Sequence, residues 1–302
     1  MDFKSKIILI YGPTASGKSI FAVKLAKKIS GEIINADSMQ VYRELRILSA
    51  RPLRRDYKKI RHHLYGFQSV KKNFSTGDWL KLVDRKISYI KKRKKIPILV
   101  GGTGLYFKSL IEGLANIPNI PNKFRKRIRN LHKELGPKDF FLELLKIDPL
   151  AKAKIKFSDS QRAIRAYEVM KFTRRSLYEW FKKTKSDYKL DEFYKIYIDY
   201  SRDELIKRIN DRSREMMKKG ALLEAKKFIK LKIPRARSAN KAIGITELKE
   251  YIEKKIDIQE VIEKISIKTR QYAKRQVTWA RGNMSDWKKV KPGNLDKFLK
   301  KI

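Results

Sequence analysis

Cysteine is absent from the 302-residue chain. That excludes disulfides, cysteine-ligated zinc and thiol catalysis, and it fits a reducing compartment. Long apolar runs are also missing. The first, Ile7 to Tyr11, is cut short by Gly12-Pro13. A secretory leader needs about 7–15 apolar residues and a membrane span about 20, so neither is expected, and the sequence predicts a soluble, cytoplasmic protein. Acidic residues are scarce, with 32 Asp+Glu against 75 Lys+Arg, for a net charge of +43. A surplus of this size is the footprint of a polyanion binder, most simply nucleic acid. Hydrophobic residues make up 42% of the chain, which argues against wholesale disorder and for a sizeable core.

What is present begins with KIILIY (6–11), a continuous apolar run that reads as a buried parallel strand. GPTASGKS (12–19) follows, with the spacing G-x-x-x-x-G-K-S of a phosphate-cradling loop. Gly12 and Gly17 admit a ligand close to the backbone, and the loop amides sit at the positive mouth of a helix. Lys18 then reaches terminal phosphate oxygens, and the Ser19 hydroxyl is placed for Mg²⁺. The next segment carries Ile20, Phe21, Leu25 and Ile29 at helical spacing. EIINAD (32–37), PILVGGTG (97–104) and KIYIDY (195–200) read as further strands, and Ser201 with Glu204 as the cap of a helix running toward Lys219 and Gly220.

This alternation predicts an α/β fold of P-loop type, a parallel sheet flanked by helices, with its site beyond the strand C-termini. After ANIPNIPN (115–122) the texture turns helical and basic, so three parts are expected. Residues 1–116 form the first part of the core, 117–190 a helical insertion, and 191–302 the completion of the core with C-terminal helices. Asp37 ends the strand after the loop helix and should face the same crevice, although a lone Asp there also serves as a turn former. Arg208 and Arg212, four apart on one helix, could bring one guanidinium to the loop or lie on the surface. Arg162 and Arg165 share a helical face, solvated or phosphate-binding. His62 and His63 lack metal-ligand partners at a usual spacing. Tyr272 and Trp279 suit the core better than base stacking.

Taken together the motifs resemble one family, the tRNA dimethylallyltransferases. The resemblance rests on GPTASGKS (12–19), INADSMQVY (34–42), SARP (49–52), ILVGGTGLY (98–106), DSQRAIRAYEV (159–169), AIGITE (242–247) and TRQYAKRQVTW (269–279), in family order along nearly the whole chain. It implies transfer of a dimethylallyl group from dimethylallyl diphosphate to N6 of the adenosine 3′ of the anticodon. Gly12, Pro13, Thr14, Ala15, Ser16, Gly17, Lys18 and Ser19 would then hold a diphosphate leaving group, with Mg²⁺ on Ser19. Asp37 would act as the base, and Arg212 would stand near the diphosphate. Implied contacts to the tRNA are Asp37, Ser38, Met39, Gln40, Thr103, Arg125, Gln161, Arg162, Ala163, Ile164 and Arg165, then Lys241, Ala242, Ile243, Gly244, Ile245 and Thr246. The family's usual Arg-x-x-Gly-Tyr reads Lys241-Ala-Ile-Gly244-Ile245 here. The expected partners are dimethylallyl diphosphate and the anticodon stem-loop, with no membrane and a monomeric enzyme. The alternatives weighed against it are an ATP-binding small-molecule kinase and a non-catalytic RNA-binding switch.

Overall fold

An apolar run with no polar alternation must be covered on both faces. The computed structural model, which describes Phe3 and residues 5–302, makes that run β1 (Ile7–Tyr11), with every residue buried. It is followed by α1 (Lys18–Lys28), β2 (Gly31–Asn35), β3 (His62–His63), α2 (Thr76–Lys92), β4 (Ile96–Gly101) and α3 (Gly104–Glu112). Next come α4 (Asn122–Ile147), α5 (Ser160–Thr173) and α6 (Leu177–Lys182). The chain then forms β5 (Phe193–Ile198), α7 (Arg202–Lys218), α8 (Ala221–Lys230), α9 (Ile245–Ile252), α10 (Ile258–Asn283), β6 (Lys288–Val290) and α11 (Leu295–Lys300). Among these residues no helix is long and apolar enough to cross a membrane.

The six strands form one sheet in the order β3-β2-β4-β1-β5-β6, and every neighbouring pair is parallel. The two-residue period of β1 divides its side chains between two cores. Ile8 and Ile10 join Ile33, Ile98 and Ile196 against Phe21 and Leu25 of α1 and Phe298 of α11. Ile7, Leu9 and Tyr11 face Trp79 and Val83 of α2, Tyr106 and Phe107 of α3, and Ala280 of α10. A third cluster packs α8, α9 and the N-terminal part of α10 against the segment Val41 to Leu48. This is the α/β parallel-sheet class expected from the sequence.

Two compact units result, one running to Ile111 and resuming at Tyr188, the other spanning Glu112–Asp187. The second is helical. Phe140, Leu144, Ala163, Ala166 and Val169 fill its core, and α4 breaks at Gly136 (φ 76°), just before Pro137.

The phosphate loop leaves β1 at its C-terminal end, beside the end of β4, which in turn lies beside that of β2. Those two ends stay zipped beyond the strands, because the Ala36 amide donates to Val100 O at 2.8 Å and the Thr103 amide to Ala36 O at 3.2 Å. The approach is so close that a Cβ on Gly101 would lie 1.9 Å from Ala36 O, so only glycine fits there. Asp37 is thereby held next to the turn that carries Thr103.

Candidate functional site

Residues 12–17 turn through two left-handed positions, Ala15 (φ 63°) and Gly17 (φ 76°), before α1 begins. Gly17 caps that helix without a side chain, so the first-turn N–H groups stay available to an anion. Lys18 is 9% exposed and curls back over the loop, its Nζ donating to Pro13 O at 3.2 Å. Opposite, α7 presents both arginines of its i, i+4 pair. Arg212 Nη1 donates to Thr14 Oγ1 at 2.9 Å, and Arg208 Nε donates to Ala15 O at 2.7 Å. Of the two alternatives for this pair, the surface role falls away for Arg212, whereas Arg208 stays exposed while it reaches the loop. Arg208 also lies over the Tyr200 ring, 5.3 Å from its centroid.

Asp37 stands at the end of β2, on a frame built by Asn35, which is fully buried. The Asn35 side chain accepts from the Asp37 amide at 3.0 Å and donates to Leu64 O at 3.1 Å, while the Trp79 indole donates to Asn35 O at 2.9 Å. Asp37 Oδ1 accepts from the amides of Met39 (2.9 Å) and Gln40 (3.3 Å), so the turn-forming role of an Asp is realised. Its other oxygen takes no hydrogen bond among the described residues. Ser38 is fixed by its amide donating to Thr103 Oγ1 at 2.9 Å. Gln40 is buried and spends its amide on Ser49 O and Ala50 O.

The charges at the site share one field. Burial pushes the Lys18 ammonium down to about 8, Asp37 pulls it up, and Arg212 lowers it further. Burial likewise lowers Arg212, opposed by Asp37, but a guanidinium stays charged. The phenols of Tyr11, Tyr106 and Tyr272 are pushed above their usual range by burial first, with the Asp37 charge adding to each. They remain neutral donors.

No cluster of three His, Cys, Asp or Glu able to hold a metal occurs among the described residues. Ser19 is half-buried at the first turn of α1. One neutral oxygen suits Mg²⁺ that arrives on substrate phosphates and keeps its waters, not a caged ion. The two histidines are otherwise engaged: His62 stacks on Tyr57 at 3.7 Å, and His63 Nε2 pairs with Glu32 Oε2 at 2.8 Å.

The other residues singled out in the sequence lie elsewhere. In the 241–246 segment Ala242 and Ile245 are buried with Leu48 and Ile265, Gly244 takes φ 105°, and only Lys241 and Thr246 are exposed. Arg125 and Gln161 to Arg165 belong to the helical unit. There the buried Glu168 faces Arg125 at 3.5 Å, Arg129 at 3.8 Å and Arg165 at 3.8 Å. Gln161 and Arg162 are exposed, Arg162 pairing with Asp159 at 3.3 Å, whereas Ala163 is buried and Ile164 half-buried. Sequence reasoning missed Asn35 and Gln276. The latter is buried, accepts from the Thr14 amide at 2.8 Å and donates to Gly102 O at 2.7 Å. Its signal was a glutamine on the buried stripe Thr269, Ala273, Gln276, Ala280 of α10.

A parallel sheet whose central strand feeds a glycine-rich loop, with a lysine and two arginines turned onto that loop, defines a P-loop-type protein that handles a phosphorylated ligand. The family model described as IPP transferase matches residues 40–283. A tRNA dimethylallyltransferase of Pelagibacter ubique (strain HTCC1062) is 57% identical over 302 residues, covering 100% of this chain and 96% of that one. The crystal structure of the full-length tRNA isopentenylpyrophosphate transferase from Bacillus halodurans superposes with TM-score 0.70 at 31% identity, over 98% of this chain and 95% of that one. A eukaryotic dimethylallyltransferase captured acting on tRNA gives TM-score 0.83 at 27% identity, over 97% of this chain and 75% of that one. The chain belongs to the IPP transferase family, that of the tRNA dimethylallyltransferases.

Proposed function

We propose that the protein is a tRNA prenyltransferase. It moves a dimethylallyl group from dimethylallyl diphosphate to N6 of the adenosine 3′ of the anticodon. The observation that carries this reading is a carboxylate, Asp37, held by Asn35 and the Thr103 turn in the same site where Lys18 and Arg212 close on the phosphate loop.

An exocyclic adenine amine is a weak nucleophile, because its lone pair is delocalised into the ring. Asp37 accepts its N–H and takes the proton as the N6–C1 bond forms. The C1–O bond breaks in the same displacement, and the allylic carbon tolerates the positive charge that develops. Negative charge grows on the departing diphosphate, where Lys18, Arg212 and the amides of Ala15 and residues 17–19 are aimed. Mg²⁺ bound at Ser19 through the diphosphate would neutralise part of that charge. The adenosine must leave its stack to reach Asp37, at a cost of a few kcal/mol that is least in a single-stranded loop. Ser38, Gln40 and Thr103 frame the base pocket, Gln40 through the backbone it holds. Arg125, Arg162 and Arg165 grip tRNA phosphates, and Lys241 and Thr246 supply the exposed side chains of the 241–246 segment.

The test is incubation of purified protein with labelled dimethylallyl diphosphate, Mg²⁺ and unmodified tRNA carrying adenosine at that position. Label is expected in the tRNA. ATP hydrolysis without label transfer would overturn the proposal in favour of a kinase-like P-loop enzyme.

A further inference from the structure

Gln276 makes three contacts, each with a different piece of the site. Its Oε1 accepts from the Thr14 amide at 2.8 Å, its Nε2 donates to Gly102 O at 2.7 Å, and its backbone carbonyl accepts from the Tyr11 hydroxyl at 3.0 Å. Tyr11 ends β1, Thr14 lies in the phosphate loop, and Gly102 opens the turn after β4. The side chain is 5% exposed, so water does not compete for these bonds. The fit is close: a Cβ on Gly102 would lie 2.3 Å from Nε2.

Both partners lead directly to the chemistry. Thr14 carries the hydroxyl that Arg212 grips. Gly102 precedes Thr103, whose hydroxyl holds Ser38 beside Asp37. One carboxamide therefore ties the leaving-group loop to the base-bearing segment. At neutral pH, where a carboxylate has no proton to give, a primary amide offers an acceptor and a donor in that fixed fork.

We infer that Gln276 is a positioning residue that sets the phosphate loop and the Asp37 segment in register for transfer. This rests on the prenyl-transfer reading. It acts on the distance between two bound reactants and not on the binding of either, so its signature is a loss of kcat with both KM values kept.

Two variants test it. Gln276→Leu keeps most of the volume and removes both hydrogen bonds. Gln276→Glu keeps the shape, but its ionised carboxylate places an oxygen against Gly102 O; protonated, it again offers one donor and one acceptor. The expected result for Gln276→Leu is a kcat loss of about 10²-fold, the cost of an ångström-scale misplacement, with KM for dimethylallyl diphosphate and for tRNA within about 3-fold. Gln276→Glu should lose kcat at neutral pH and regain it as pH falls, relative to wild type, which a merely structural defect would not do. A third readout needs no turnover: amide exchange at Thr14 should speed up in Gln276→Leu and not at Lys28, far along α1. Wild-type kcat in both variants, or a loss of KM and stability in parallel without acid recovery, would overturn the inference, as would unchanged exchange at Thr14. If Gln276→Leu does not fold, the pH profile of Gln276→Glu decides. If wild type transfers no label, the function reading falls, while the exchange comparison still decides whether Gln276 holds the loop.

Discussion

Ligand binding should draw a proton into the protein at alkaline pH. Lys18 has an ordinary pKa of 10.5 and is pushed down to about 8, with burial the largest cause, then the opposing pull of Asp37, then Arg212. A diphosphate against Nζ supplies the negative charge that burial withholds and restores the protonated form. With a starting pKa of about 8, binding should take up about a tenth of a proton at pH 7, about half at pH 8 and about nine-tenths at pH 9. Titration calorimetry with dimethylallyl diphosphate, at fixed Mg²⁺ and in two buffers of different ionisation enthalpy, reads this directly. The ligand's own last ionisation lies below this window. Lys18→Met should abolish the uptake and weaken binding. The same shift has a stability consequence. Between about pH 8 and 10.5 the unfolded chain holds the Lys18 proton and the ligand-free native chain does not, so stability rises with pH there, by at most about 3 kcal/mol. Below pH 8 the buried charge is carried at full cost, so Lys18→Met should stabilise the ligand-free protein at pH 7. Uptake that stays flat from pH 7 to 9, or that survives in Lys18→Met, would refute the reasoning.

Asp37→Asn keeps an oxygen to cap Met39 but loses the base. It should lower kcat by about 10²–10⁴-fold while tRNA binding, followed by filter retention, is maintained. Two glycines should respond in opposite ways in urea melts. Gly101→Ala drives a Cβ to 1.9 Å from Ala36 O and should prevent folding or part β2 from β4. Gly282→Ala in α10 meets nothing within 4 Å and should gain about 0.5–1 kcal/mol. The Kd for tRNA should rise steeply with salt, and Arg162→Gln, which removes an exposed guanidinium, should lower the slope of log Kd against log salt by about 0.7–0.9. An unchanged slope would take Arg162 off the phosphate backbone.

What the sequence disclosed follows how local each signal is. Three of the six strands, β1, β4 and β5, carry four or more apolar residues and β2 carries the pair Ile33-Ile34; the sequence reads all four within about three residues of their ends, as pattern reading allows. Strand β3 is two histidines and β6 is Lys-Lys-Val, so neither has a period to find. They exist because an edge of the sheet was there to pair with. The same division holds within the site. Gly17, Lys18 and Ser19 announce themselves because loop, helix mouth and lysine lie in one octapeptide. Arg208 and Arg212 could only be offered as alternatives, since whether α7 turns them to the loop depends on a sheet crossing with a sequence separation of 193 and 198 residues. Asp37 has two readings, a turn former and a base, and the structure shows the first: Oδ1 forms the turn, while the base role is the proposal that Asp37→Asn tests. Gln276 was hidden for the opposite reason. It lies in a conspicuous basic motif, where a glutamine reads as one more polar residue facing RNA. Its place on the apolar stripe of α10 says otherwise, because a buried amide must find two partners. It finds them in the Thr14 amide of the phosphate loop and in Gly102 O of the turn after β4. The demand of one buried side chain for hydrogen bonds thus ties the phosphate loop to the turn that carries Thr103 and, through it, to the Asp37 segment.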